Sequence, residues 1–115
     1  MVVSYYDARS IAPLHRLLEQ LDTIEAGFPF DLVLVVNRTH DDPIDLPPLS
    51  RSITLLERPN EGYNIGAWDH AWRELPNSEL LLFLQDDAFV VRQGWLRPFV
   101  LALTNPKVGL VGECL

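Results

Sequence analysis

The sequence predicts an α/β domain in which a mostly parallel sheet is flanked by helices. Apolar segments of strand length alternate with segments of helical periodicity, and this alternation is typical of βαβ units. One segment, LVLVV at residues 32–36, is apolar without interruption, as strands are when both faces of a parallel sheet are covered. A chain of 115 residues suits one domain of this kind and is too short for two.

The first βαβ unit has the strongest pattern. We expect a buried strand at Val2–Tyr6 and a helix that begins after Ser10, a residue type favoured at helix N-termini. Pro13 is compatible with the first helical turn, and Gly27 suits the position just past the helix end. Apolar residues at the spacing of one helical face lie between them. They are Ile11, Leu14, Leu17, Leu18, Leu21 and Ile24.

The remainder of the chain continues the alternation without an internal repeat or a linker. Residues 37–51 contain three prolines and several acidic residues, which predicts an irregular surface loop. Further strands are predicted at 53–56, 80–84 and 108–111, and further helices at 65–74 and 95–103. We therefore treat residues 1–115 as a single domain.

Composition and charge exclude several classes of function. With 9 Lys and Arg against 16 Asp and Glu, the formal net charge is −7, which argues against binding to nucleic-acid phosphates or to an anionic membrane. The apolar runs are far shorter than the ~20 residues of a membrane span, and no secretory signal is recognisable. The single cysteine, Cys114, cannot form an internal disulfide. We expect a cytoplasmic protein with no membrane span and no nucleic-acid partner.

Polar residues directly follow three of the predicted strands. In open α/β sheets, ligands bind in the crevice outside the carboxyl ends of the strands. We therefore take these residues as candidate site residues and expect them to converge at one edge of the sheet. They are Asn37, Thr39 and Asp41 after the second strand, Asn60, Gly62 and Gly66 after the third, and Gln85, Asp86 and Asp87 after the fourth.

The adjacent carboxylates of Asp86 and Asp87 repel each other, and burial would penalise both of them. A hard cation such as Mg²⁺ or Mn²⁺ would offset this repulsion, because it prefers oxygen ligands and is often held by one or two carboxylates together with substrate phosphates. The alternative is a solvated strand end that binds nothing. The pair alone does not decide between them.

The segment NEGYNIG at residues 60–66 joins two glycines to the start of a predicted helix. Glycine permits close backbone approach, and a helix N-terminus presents unpaired amides to an anion, although a plain turn would have the same composition. No G-x-S-x-G or G-x-x-x-x-G-K-[ST] segment is present, and the first βα turn, YYDARS, lacks glycine. The sequence therefore does not favour a hydrolase, a P-loop NTPase or a dinucleotide-binding domain.

The order of these features along the chain is more specific than any one of them. An apolar first strand precedes a polar cluster after the second strand, N-x-G before a helix, an apolar strand that ends in Asp-Asp, and then GWL and VGLVG. This order resembles the nucleotide-binding half of GT-A fold glycosyltransferases of the family 2 type, and the resemblance covers nearly the whole chain. It implies a Rossmann-like fold that binds a nucleotide-diphosphate sugar.

The resemblance implies roles for the residues of the DxD-type motif, which falls on residues 85–87. Asp87 would coordinate Mn²⁺ or Mg²⁺ on the diphosphate, and Asp86 would approach the ribose or a metal-bound water. Gln85 stands where the first aspartate of the motif is frequent, and it is assigned to nucleotide binding with Asp86.

The resemblance also implies which other residues bind the nucleotide. The V-D-N-x-S-x-D segment of the family is similar to VVNRTHD here, which assigns Asn37 and Thr39 to the nucleotide, while Val36 replaces the usual acidic residue. Asn60 and Gly62 match the N-x-G segment, whose loop and helix close over the nucleotide.

The reaction implied by the resemblance is transfer of the sugar to an acceptor, with the acceptor and the catalytic residues unknown. Members of the family have a domain about twice this size, which is still within the usual range for a single domain. Their second half supplies the acceptor site and the catalytic base, so we expect this chain to be incomplete relative to the full fold. Apolar surface left uncovered at its end would favour self-association.

Two alternatives stay open. One is a catalytically silent binding or interaction module that keeps the fold, which the missing second half favours. The other is a Mg²⁺-dependent phosphotransfer domain of flavodoxin-like topology, for which Asp7 after the first strand and Lys107 near the C-terminal end are the available candidate residues.

Overall fold

The structure is a computed structural model that describes residues 1–112, so that Cys114 lies outside the described part of the chain. Four strands form one sheet: β1 (Val2–Tyr6), β2 (Leu32–Arg38), β3 (Ile53–Pro59) and β4 (Phe83–Gln85). Three helices accompany them: α1 (Ala12–Thr23), α2 (Tyr63–Glu74) and α3 (Arg97–Leu103). All strand pairs are parallel, and their order is β3-β2-β1-β4. The predicted α/β class with a parallel sheet flanked by helices is confirmed, and the arrangement is Rossmann-like.

The strand order places α1 and α2 on opposite faces of the sheet. The chain moves outward from β1 to β3 and then returns to place β4 on the other side of β1. Because crossovers between parallel strands are right-handed, this reversal puts the second helix on the other face. Accordingly, Val3 and Leu34 pack with the leucines of α1, whereas Val2 and Val33 pack with the alanines of α2.

The larger part of the core lies between α1 and the sheet. The apolar stripe predicted from the sequence is buried along this helix, and Leu14, Leu17, Leu18 and Leu21 are all fully buried. Pro13 lies in the first turn, as predicted. On the other face, Ala67 and Ala71 are fully buried, and their small side chains let α2 approach the valines of β1 and β2 closely.

Two boundaries of the first helix differ from the prediction for identifiable reasons. Gly27 does not cap α1, which ends at Thr23. Its φ is 77°, and a Cβ at this position would lie 3.0 Å from the Gly94 Cα, so the glycine instead lets the chain pass close to another loop. Ser10 lies one position before the N-cap residue Ile11, and its Oγ accepts a hydrogen bond from the Ala12 amide at 3.3 Å.

The two apolar segments in the last third of the chain were predicted less well. The strand expected at 80–84 is limited to Phe83–Gln85, because only these residues are in register with β1. The strand expected at 108–111 is wrong: these residues have no strand partner among residues 1–112, and the Val108 amide instead donates to the Asn105 carbonyl in a turn. An apolar run indicates that a segment tends to be buried, but it does not indicate which strand, if any, the segment pairs with. Within residues 1–112 no helix is long and apolar enough to cross a membrane.

Candidate functional site

The carboxyl ends of the four parallel strands meet at one edge of the sheet, and the residues predicted from the three polar clusters come to this edge. The strand order reverses between β1 and β4, which is the topological switch point at which open α/β sheets form their ligand crevice. Arg9 follows β1 on one side of this point, and Asp86 and Asp87 follow β4 on the other.

The two neighbouring aspartates at the end of β4 have different environments. Asp86 is 4% exposed, and its Oδ1 lies 3.9 Å from Nη1 of Arg9. Burial raises the pKa of Asp86, and the charges of Arg9 and Asp87 act on it in opposite directions. Asp87 is exposed, and its backbone carbonyl accepts a hydrogen bond from Nη2 of Arg16 at 3.3 Å. One carboxylate therefore stays inside the protein, and the other is open to a cation.

Gln85 ends β4 and lies opposite Ser4 of β1. Its side chain is exposed and forms no hydrogen bond with the described part of the chain, whereas its backbone carbonyl accepts from the Ala88 amide at 3.1 Å. This hydrogen bond closes a turn over residues 85–88 that contains both aspartates. Because it is exposed and unbonded there, the side-chain amide of Gln85 is free to contact a ligand.

Asp7 joins the end of β1 to the loop that follows β2. Its carboxylate, 1% exposed, accepts hydrogen bonds from the Thr39 amide at 2.8 Å and from the Thr39 hydroxyl at 2.6 Å. Nη1 of Arg38 and Nε2 of His40 lie at 3.7 and 3.6 Å. Burial raises the pKa of Asp7, but the hydrogen bonds from Thr39 and the charge of His40 outweigh it, so that the net shift is downward. The Thr39 hydroxyl, assigned to the nucleotide, is used inside the protein, and Asp41 lies exposed further along the same loop.

Asn37 has a similar internal role. It is 1% exposed; its Nδ2 donates to the Tyr63 carbonyl at 3.1 Å, and its Oδ1 accepts from Nη1 of Arg58 at 2.7 Å. Both ends of the amide are therefore satisfied by protein groups, and they link β2, β3 and the start of α2. The assignment of Asn37 to the nucleotide base stays a prediction, and in this conformation the side chain presents no group to a ligand.

The first turn of α2 has an unusual backbone. Gly62 has a φ of 72° and the next residue, Tyr63, a φ of 50°, so two consecutive residues are in the left-handed region. Asn64 accepts a hydrogen bond from the Ser4 hydroxyl at 3.0 Å, which ties the turn to β1. The half-buried Asn60 precedes the turn, and its Oδ1 has no hydrogen-bond partner in the described structure. The start of α2, with its unpaired backbone amides, is thereby held at the carboxyl edge of the sheet.

The residues present fit a divalent cation only in part. No group of three or more His, Cys, Asp or Glu side chains within residues 1–112 is placed to hold a metal ion. Asp87 alone among the described residues offers an exposed carboxylate at the switch point, so a bound Mg²⁺ or Mn²⁺ would take its other ligands from water and from phosphate oxygens of a substrate. This donor set suits a cation that arrives with an anionic ligand.

Two cavities of the protein lie away from this edge. One of about 760 Å³ is lined by residues 22–30 and Arg51, and another of about 400 Å³ lies beside α3 and residues 77–82. Both are at or near the amino ends of the strands, away from the predicted polar clusters. None of the residues of the three polar clusters lines either cavity.

No family model, no curated protein and no solved structure matches this chain. The function is therefore inferred from the residues at the carboxyl edge and from the order of the motifs along the chain.

Sequence reasoning missed the arginines of this edge. Arg58 is the residue directly opposite Asn37 in the β2–β3 register, and Arg9 is the counter-ion of Asp86. Neither has a local sequence signal, because each contacts a residue more than 20 positions away. Asp7 did have a signal, because it directly follows the buried strand β1, but the sequence pointed to it only for the phosphotransfer alternative.

We expect Gly66→Ala to destabilise the protein, because a Cβ at Gly66 collides with the Glu61 carbonyl oxygen and comes within 3.2 Å of the Arg58 guanidinium nitrogens. The backbone cannot move aside as a flexible side chain can, so we expect the free energy of unfolding to fall by about 1–3 kcal/mol. Urea unfolding followed by circular dichroism measures it. Gly109→Ala, at a position with open space around it, is the matched control. Equal midpoints for the two variants would contradict this packing.

Asp7→Asn tests the link between β1 and the loop after β2. Because the folded pKa of Asp7 lies below its ordinary value of 3.8, its carboxylate stabilises the fold above that value, and the stabilisation is lost as pH falls through the folded pKa. We expect the variant to be less stable by about 2 kcal/mol near neutral pH, with the difference shrinking below about pH 4. Urea unfolding across this pH range measures it. Asp45→Asn, an exposed loop carboxylate, should stay within about 0.5 kcal/mol, and a difference for Asp7→Asn that does not depend on pH would contradict the assignment.

Proposed function

We propose that this chain is a glycosyltransferase-like domain that binds a nucleotide-diphosphate sugar together with Mn²⁺ or Mg²⁺ at the carboxyl edge of its sheet. The observation that carries the proposal is the exposed carboxylate of Asp87 beside the switch point of a parallel sheet. The parent reaction is transfer of the sugar to an acceptor.

The strand order supports a nucleotide ligand over the phosphotransfer alternative. The order β3-β2-β1-β4 is that of the first four strands of a Rossmann fold, whose full order is 3-2-1-4-5-6. A flavodoxin-like domain would place β3 beside β1, whereas here β3 pairs with β2 and β4 takes the place beside β1. The acidic residue after β1 also differs from a phosphotransfer site, because Asp7 is buried and bonded to Thr39.

The charge of the protein explains why a cation belongs in the proposal. An anionic diphosphate is repelled by a chain of net charge −7, so its binding requires local positive charge. A cation between Asp87 and the phosphates supplies part of it and, when bound, acts as a Lewis acid that stabilises the leaving diphosphate. The protein contributes the remaining contacts: the turn at Asn60 and Gly62 covers the nucleotide, and the amides at the start of α2 face its anionic groups.

The geometry favours binding over transfer by this chain alone. A catalytic base must be deprotonated and within reach of the acceptor. At the switch point Asp86 is buried beside Arg9, and Asp87 is engaged by the cation in this proposal, so neither carboxylate is left to deprotonate an acceptor. This supports the alternative of a module that binds a sugar nucleotide without turning it over.

We expect Asp87→Asn to lose Mn²⁺-dependent binding of a nucleoside diphosphate while its thermal unfolding stays unchanged. The amide is a poorer metal ligand than the carboxylate, and loss of one charged contact corresponds to about a tenfold or greater fall in affinity. Isothermal titration of UDP, GDP and ADP with Mn²⁺ and with EDTA measures the change. Asp86→Asn should weaken binding less, and Asp45→Asn, the same chemical change at an exposed loop position, should not weaken it.

The same proteins incubated with UDP-sugars and GDP-sugars in a donor-consumption assay should bind the donor without transferring its sugar. Undiminished Mn²⁺-dependent affinity in Asp87→Asn would remove the metal role. Efficient transfer by the unaltered chain would show that the binding-only interpretation is wrong.

A further inference from the structure

Two arginines flank the aspartate pair at the switch point. The guanidinium of Arg9 approaches Asp86, and that of Arg16 donates to the carbonyl of Asp87. The Arg9 backbone is held by the buried Tyr5, whose hydroxyl donates to the Arg9 carbonyl at 2.9 Å. The guanidinium of Arg16 also lies over Phe89, whose ring centroid is 5.8 Å away. Both positive groups are thus placed beside the end of β4 before any ligand binds.

These two arginines differ from two others at the same edge. The side chain of Arg38 is 15% exposed and contacts Asp7 and Glu57, and that of Arg58 donates to the buried Asn37. These contacts hold the fold together. The side chain of Arg9, by contrast, is 58% exposed, and Arg16 is exposed on α1.

Arg9 and Arg16 have N–H donors that no group of the described structure uses. A guanidinium has five N–H donors, whereas Arg16 uses one on Asp87 and the 3.9 Å contact from Arg9 to Asp86 is longer than a hydrogen bond. Because its contact with Asp86 is not a hydrogen bond, the exposed guanidinium of Arg9 gives up no hydrogen bond when it turns to another anion. The planar fork of arginine matches the oxygens of a phosphate group.

We infer that Arg9 and Arg16 bind the diphosphate of the ligand at the switch point, with Arg9 exchanging its loose contact with Asp86 for a phosphate oxygen. The inference rests on the proposed function for the nucleotide and the sugar, but the recognised group is the diphosphate itself. Two guanidiniums beside the end of one strand suit two linked phosphates, and they offset the negative charge of the neighbouring aspartates.

Inorganic pyrophosphate is the probe, because it contains the recognised group without a base or a sugar. Isothermal titration in EDTA isolates the arginine contacts from any bound cation. We expect Arg9→Gln and Arg16→Gln each to weaken pyrophosphate binding about tenfold, the loss that corresponds to one charged hydrogen bond. Arg73→Gln, which removes an exposed arginine in the last turn of α2, should bind as the unaltered protein does.

Removal of Arg9 leaves Asp86 without its counter-ion, so the variant needs a control for stability. Arg9→Gln is therefore also made in the background of Asp86→Asn, where no buried charge is left unpaired. We expect the same fold-change in affinity in both backgrounds, with thermal unfolding confirming that each protein is folded at the titration temperature. Loss of affinity in the Arg9 single variant but not in the Asp86→Asn background would assign the effect to Asp86 and overturn the role of Arg9.

Nucleoside diphosphates separate this inference from the proposed function. If pyrophosphate binds through the two arginines but UDP, GDP and ADP bind no better than pyrophosphate, the diphosphate site stands and the nucleotide-sugar proposal fails. If the nucleoside diphosphates bind with Mn²⁺ and both arginine variants bind them equally well, the proposed function stands and this inference is overturned. The absence of any pyrophosphate binding by the unaltered protein also overturns it.

Discussion

The position of β1 between two parallel partners is the constraint on which the rest of the structure depends. β1 pairs with β2 on one side and with β4 on the other, and four of its five residues are buried. A parallel sheet of this kind is covered on both faces, here by α1 on one face and by α2 on the other. The same pairing brings the ends of β1 and β4 together and so creates the switch point.

The polar residues of the carboxyl edge divide into two groups with different physical roles. Asp7 and Asn37 are buried, and each forms more than one hydrogen bond with other groups of the protein. Asp7 accepts from the Thr39 amide and hydroxyl, and Asn37 donates to the Tyr63 carbonyl and accepts from Arg58. A buried polar group must be satisfied in this way or it destabilises the fold. Asp87 and Arg9 are exposed, and their contacts to the rest of the described chain are few. The first group holds the edge in shape, and the second is available to a ligand.

The pattern of the sequence was sufficient to predict the helices and strands with a regular hydrophobic period. It was insufficient to predict which apolar segments pair with another strand. The stripe of leucines in α1 and the unbroken run in β2 predicted those elements closely, because burial along one or both faces produces the periodicity. The segments at 80–84 and 108–111 are similarly apolar. Only two residues of the first segment, together with Gln85, pair with β1, and the second has no strand partner in the described structure, because pairing depends on register and on neighbours that a local pattern does not contain.

The sequence by itself determined that the chain is an α/β domain, that its polar clusters follow its strands, and that Asp86 and Asp87 end an apolar strand. Hydrophobic periodicity and strand-end position are local properties, so they can be seen in one chain without a structure. Only the tertiary structure decided which of these polar residues face a ligand. Asn37 and Asp87 look alike in the sequence as polar residues after strands, but Arg58 and Tyr63 close around the first, and nothing in the described structure closes around the side chain of the second. That difference arises from contacts between residues far apart in the chain, which exist only once the strands have paired.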